Sequence, residues 1–160
     1  MLKFLYIFFL GVILAFFVGL GIEAFYTSPK APEYPTELQY NEKTPSQMSA
    51  EDKQIQKDYD KSMADYQKVA AIHGRNTSMI AVVASILLLV LSLTILLNSS
   101  ILTDGFLLGG LLTLLYAIIR GFESDNSMYR FALVTVGLVI VMVLGYIKFI
   151  KLGKNKGRRR

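Results

Sequence analysis

The sequence predicts an all-α integral membrane protein with four transmembrane helices and one extramembrane helix in a long first loop. Three observations carry that prediction. The chain of 160 residues is 53% hydrophobic and 18% charged, with a mean hydropathy of +0.45, whereas soluble domains sit nearer a quarter charged. The apolar residues gather into four runs, and two of them, 4–22 and 79–97, contain no charged residue. Each matches the roughly 20 helical residues that cross a hydrocarbon core of about 30 Å. Small residues also recur at every fourth position in two of the runs, the pattern of helices packed inside a bilayer.

The first span, 1–26, is read as an uncleaved anchor. Lys3 is its only basic residue before an apolar stretch longer than a signal peptide's, and Glu23 between Ile22 and Ala24 spoils a small-residue cleavage site. The loop 27–76 follows. Pro29, Pro32 and Pro35 hold its start, 29–45, extended, because proline fixes its own backbone and biases its predecessor away from helix. Tyr34 and Tyr40 interleave with these prolines. The stretch reads as a spacer across the membrane surface, with a recognition strip as the alternative.

A loop helix is expected over 46–73. Thr44, Pro45 and Gln47 fit an N-cap, a first-position proline and a capping box, and Ser49 with Asp52 offers a second start. Ile55, Tyr59, Tyr66, Val69 and Ala70 form a thin apolar stripe along it. From the Ser49 start to Ile72 about 23 residues make roughly 35 Å at 1.5 Å per residue. Gly74 reads as its C-cap, with Asn76 or Thr77 opening the second span, 77–98. A helix with so thin a stripe is solvated, docks on the membrane domain, or meets a partner through the Ile55, Tyr59 and Tyr66 face.

The third span, 101–121, is the weakest of the four. The run 106–119 is short by itself, and a full crossing includes Thr103 and Asp104. Asp104 is therefore placed at the membrane edge, where a charge costs little compared with the midplane. A re-entrant or tilted segment is the alternative. The fourth span, 128–150, stays uncharged over 131–147, and the long stem of Lys148 can carry its ammonium to the headgroups.

Seven of the last thirteen residues are basic and none is acidic. The positive-inside rule makes this tail, 151–160, cytoplasmic. An even number of spans then puts the N-terminus on the same side. Counts over the two sides are nearly even, so the density of charge beside a membrane end decides. Tyr6 and Tyr146 fall at the inner interface on this reading, and Tyr26 and Tyr129 at the outer one. The tail is read as a topology signal, and no nucleic-acid partner is expected.

Gly11, Ala15 and Gly19 line one face of the first span. Gly105, Gly109, Thr113, Ala117 and Gly121 line one face of the third. The two spans run parallel in a four-span topology, and laying one stripe on the other brings Glu23 level with Arg120. An ion pair between them is expected, with Arg75 or Arg130 as the alternative partner. The rival reading is that one stripe packs within the bundle and the other joins two copies.

Chemistry is hard to find in this chain. No cysteine is present, which excludes disulfides, thiolate catalysis and cysteine metal sites, and His73 alone makes no histidine-rich metal site. No ionisable residue falls near the middle of a span and no span contains proline, so neither a proton path nor a broken-helix substrate site is signalled. Nucleotide-binding, serine-hydrolase and zinc-protease motifs are missing. No catalytic, cofactor-binding or metal residue is assigned. The polar candidates are an outer-rim cluster of Glu23, His73, Arg75, Arg120, Glu123 and Arg130.

The leading function is a non-enzymatic accessory or assembly subunit of a membrane complex. Its expected partners are the lipid bilayer and other membrane subunits or further copies of itself. A small oligomeric transporter or channel is the first alternative. A membrane enzyme or lipid-binding protein using the outer-rim cluster is the second.

Overall fold

The computed structural model describes residues 1–39, 48–94 and 100–151. Among the described residues every regular element is helical: α1 (Leu2–Phe25), α2 (Thr36–Gln39), α3 (Ala50–Thr94), α4 (Ser100–Gly121) and α5 (Ser127–Gly145), which ends in a π-helical turn, Tyr146–Lys151. Four of these are long and apolar enough to cross a membrane. The third of them is a whole helix of 22 residues, about 33 Å long.

The loop helix and the second span are one helix. α3 runs unbroken for 45 residues, about 68 Å. Its start is the Ser49–Asp52 capping box: Asp52 N–H donates to Ser49 Oγ and Ser49 N–H to the Asp52 carboxylate, each at 3.1 Å. The alternative start at Thr44, Pro45 and Gln47 lies outside the described residues. Gly74 does not cap anything, and Asn76 and Thr77 open no new helix. A capping glycine takes a left-handed backbone, yet no described glycine has positive φ. The reason for glycine is instead space, because a Cβ on Gly74 would lie 2.8 Å from Glu123 Cβ and 3.1 Å from the Arg120 carbonyl oxygen.

α4 is the centre of the bundle. It lies along both α1 and α3 and touches α5, while α1 and α3 meet only briefly. Its glycines make this possible. A Cβ on Gly105 would meet Leu10, and one on Gly109 would lie 2.9 Å from Leu14 Cβ and 3.3 Å from the Gly11 carbonyl. Gly11 in turn receives Leu108, 2.8 Å from where its Cβ would be. Partner numbers rise together along the two helices, so α1 and α4 are parallel. Each leucine fills the hole that the other helix's glycine leaves, and Thr113 and Ala117 are fully buried.

The opposite side of α4 packs antiparallel on α3, along a seam of hydroxyls seven residues apart. Ser78, Ser85 and Ser92 are all fully buried. Ser85 Oγ donates to the Gly110 carbonyl at 2.9 Å and Ser92 Oγ to that of Thr103 at 2.7 Å. Gly110 takes the side chain of Leu89. Interhelical bonds of this kind contribute about 0.6–2 kcal/mol each in a bilayer. Thr113 instead donates within its own helix, to the Gly109 carbonyl.

α5 is peripheral and buries Leu133, Gly137 and Leu144. Asn126 caps it, accepting from Met128 N–H and Tyr129 N–H at 2.9 and 3.2 Å. At its far end Lys148 pairs with Asp104 of α4, so the edge charge and the snorkelling lysine meet each other. Along α1, Phe4, Phe9, Phe16 and Phe17 face outward, as a lipid-facing surface requires.

Half of α3 extends beyond the bundle, and the segment after α1 climbs it. Tyr34 packs edge-on against Tyr59, with ring centroids 5.2 Å apart, and Leu38 of α2 is buried. From Tyr26 to Tyr34, eight extended residues reach about 25 Å. From His73 back to Tyr59, fourteen helical ones cover about 21 Å, so the proline segment keeps pace with the helix. Up to residue 39 it is a strap along α3, in place of the surface spacer; the remainder of that stretch, 40–45 with Tyr40, lies outside the described residues. Ile55, Tyr59, Tyr66 and Ala70 are half-buried on this side, but Val69 points away, 54% exposed.

Gly109→Ala is expected to lower unfolding stability in detergent by about 1–3 kcal/mol, the usual cost of overpacking. Gly21→Ala, where a Cβ meets nothing within 4 Å, is expected to be neutral or to stabilise by up to about 1 kcal/mol from helix propensity. Denaturant titration of the two variants checks both signs.

Candidate functional site

Four element ends converge beside the middle of α3: the end of α1, the end of α4, the turn 121–126 and the start of α5. Each is tied there by a polar contact. His73 holds Tyr26 twice. Its ring stacks on the tyrosine ring with centroids 4.5 Å apart and planes 3° from parallel. Its Nε2 lies 3.1 Å from the Tyr26 carbonyl. A carbonyl only accepts, so Nε2 carries the proton and Nδ1 is left as an acceptor. Arg120 Nη2 approaches that Nδ1 at 3.5 Å, consistent with the assignment. Asn76 Nδ2 donates to the Tyr26 hydroxyl at 3.1 Å. The exit from α1 is gripped by backbone, ring and hydroxyl together.

The turn after α4 is held equally firmly. Arg120 pairs with Glu123, one turn further along its own chain. Arg130 Nε donates to the Ser124 carbonyl at 2.6 Å. Tyr129 Oη lies 3.1 Å from the Arg75 carbonyl and 3.2 Å from Ser78 Oγ. The turn comes this close to α3 only because residue 74 has no side chain.

Of the six rim candidates, the structure brings His73, Arg120 and Glu123 into direct contact. Arg130 sits on the far side of the turn as a clamp. Arg75 contributes its carbonyl to Tyr129, while its side chain borders a separate groove with Lys68 and Asp125. Glu23 lies on the wall of a cleft with Arg120, but among the described residues no cation is within 4 Å of its carboxylate. The nearby Glu123 takes the guanidinium because an (i, i+3) pair needs no alignment between separate helices.

Sequence reasoning passed over Tyr26, Asn76 and Thr77 as parts of this site. A tyrosine at a helix end reads as an interfacial anchor and Asn76 as a helix start; Asn76 meets Tyr26 because α3 continues through residue 76, and Tyr26 turns toward α3 because His73 and Asn76 hold it. Two clefts open here. One, about 380 Å³, is bordered by Ser28, Tyr66, Gln67, His73, Arg120 and Glu123. The other, about 230 Å³, includes Glu23, Tyr26, His73, Thr77, Tyr116 and Arg120. No group of three metal-ligating side chains occurs among the described residues. The two clefts together present fixed donors, the carboxylates of Glu23, Glu123 and Asp125, and the stacked rings of Tyr26 and His73.

A double-mutant cycle with Arg120→Gln is expected to give a coupling of about 0.5–1 kcal/mol with Glu123→Gln. The same cycle with Glu23→Gln is expected to give none, as read by thermal unfolding in detergent. Comparison of the chain with protein-family models, with curated proteins and with solved structures finds no match.

Proposed function

We propose that the chain is a non-enzymatic accessory or assembly subunit of a larger membrane complex, with both termini cytoplasmic and α3 projecting on the opposite side. One observation carries this reading: α3 leaves the bundle as a single unbroken helix for roughly 35 Å, braced by the strap and by the His73–Tyr26 and Tyr129–Ser78 contacts at its base. Such a mast holds a protein surface at a fixed height and angle, which is what a positioning subunit supplies. Its outward face carries Lys57 and Lys61 at helical spacing, both exposed, and Lys68, which pairs with Asp65 on the same face, so a partner with acidic groups opposite these lysines fits it. A polar pathway through the bundle finds less support. The buried hydroxyls of Ser85, Ser92 and Thr113 are all donated to backbone carbonyls.

Two measurements test the reading. With no native cysteine, single cysteines at Ser62 and Gly153 are expected to label from opposite faces of sealed membranes; labelling from one face ends the four-crossing topology. Purified in mild detergent from native membranes, the chain is expected to carry a stoichiometric protein partner that Lys57→Glu with Lys61→Glu and Lys68→Glu releases. A lone monomer, or a partner indifferent to the triple change, overturns the accessory reading.

A further inference from the structure

The small-residue stripe of α1 changes character along its length. Gly11 is packed hard against Leu108, but a Cβ on Gly19 would find only the Tyr116 ring, at 3.9 Å. Between Ala15 and Gly19 on one side and Leu112 and Tyr116 on the other, α1 and α4 part into an apolar groove of about 430 Å³. From Val12 to Glu23 it runs eleven residues of helix, about 16 Å. That is half of a hydrocarbon core of roughly 30 Å, the depth of one leaflet.

The groove reaches Glu23 on α1 and Ile119 on α4, and two of its lining residues, Glu23 and Tyr116, also wall the smaller polar cleft. Inside that cleft are unanswered donors. Thr77 is 1% exposed and, among the described residues, its Oγ1 has no hydrogen-bond partner; nor has the buried Nε of Arg120, whose Nη1 is already taken by Glu123. A buried donor left without an acceptor costs about 1–3 kcal/mol, so two in one cleft point to an acceptor that belongs there. Glu23 stands exposed at the rim of the same cleft, and among the described residues no cation lies within 4 Å of its carboxylate.

We propose that the α1–α4 groove and the Glu23–Thr77–Arg120 cleft together bind one phospholipid with a primary-amine headgroup. Its acyl chain lies over Ala15 and Gly19. Its phosphate oxygens accept from Thr77 and Arg120, and its ammonium donates to Glu23. An anionic headgroup leaves Glu23 unanswered and meets repulsion from it. A choline headgroup offers no N–H to the carboxylate. A bound lipid also explains why the stripe stays small where no helix fills it.

The test is native mass spectrometry of the full chain, delipidated in detergent and titrated with phosphatidylethanolamine, phosphatidylcholine or phosphatidylglycerol of identical chains. One ethanolamine lipid per chain is expected, held about tenfold more tightly than the others, as for one hydrogen bond to a charged group. Glu23→Gln is expected to abolish that preference. Gly19→Leu, whose Cβ would meet nothing closer than the Tyr116 ring at 3.9 Å, is expected to weaken binding of all three about tenfold, with unfolding of the lipid-free protein unchanged. Equal retention by wild type and both variants overturns the proposal. So does water-soluble glycerophosphoethanolamine binding as tightly as the lipid, because the groove then contributes nothing. A stable dimer that excludes lipid overturns it as well, by showing that a second copy covers the groove.

Discussion

The whole arrangement depends on how closely α4 approaches its two neighbours at once. Helices in a bilayer gain nothing from hiding apolar surface, because the surrounding lipid is equally apolar. What remains is van der Waals contact and a few hydrogen bonds, and both fall away steeply with distance. Gly105, Gly109, Gly110 and Gly121 remove the side chains that would hold the neighbours off. With backbones close, leucines from α1 and α3 seat into the gaps, and Ser85 and Ser92 reach carbonyls of another helix. α1 and α5 surround this centre and turn most of their surface outward.

Much of this was legible beforehand, for a physical reason. A span announces itself through length and lack of charge, which the bilayer imposes without reference to any neighbour. The parallel pairing of α1 with α4 was readable from residues four apart, and the expected levelling of Glu23 with Arg120 places both on one cleft. The ion pair itself was not readable. Arg120 had several carboxylates within plausible reach, and the choice of Glu123 rests on side-chain geometry that spacing does not contain.

Other features stayed hidden because one residue type serves two ends. Gly74 suits a helix cap and a close contact equally, and only the position of the 121–126 turn decides between them. A buried serine has its own helix and its neighbour as acceptors. Thr113 takes the first and Ser85 the second, according to how near the next backbone lies. The seven-residue recurrence of Ser78, Ser85 and Ser92 was a usable signal, since a seam that follows the heptad stays on one side of a gently coiled pair. The strap could not be read from its prolines alone. They specify extension, and the direction comes from Tyr26 and Tyr34 finding His73 and Tyr59.

Continuity of α3 has a mechanical consequence. Because no break separates the part beside α4 from the part beyond the bundle, the helix is a lever whose fulcrum is the His73 girdle. A tilt of about 5° within the bundle carries the tip about 3 Å over a 35 Å arm, and a rotation about the axis turns the lysine face by the same angle. The strap, fastened at Tyr26 below and Tyr34 above, makes α1 share that movement. Displacements at one end of the molecule and rearrangements of the α1–α4 contact at the other are therefore the same motion seen from two places.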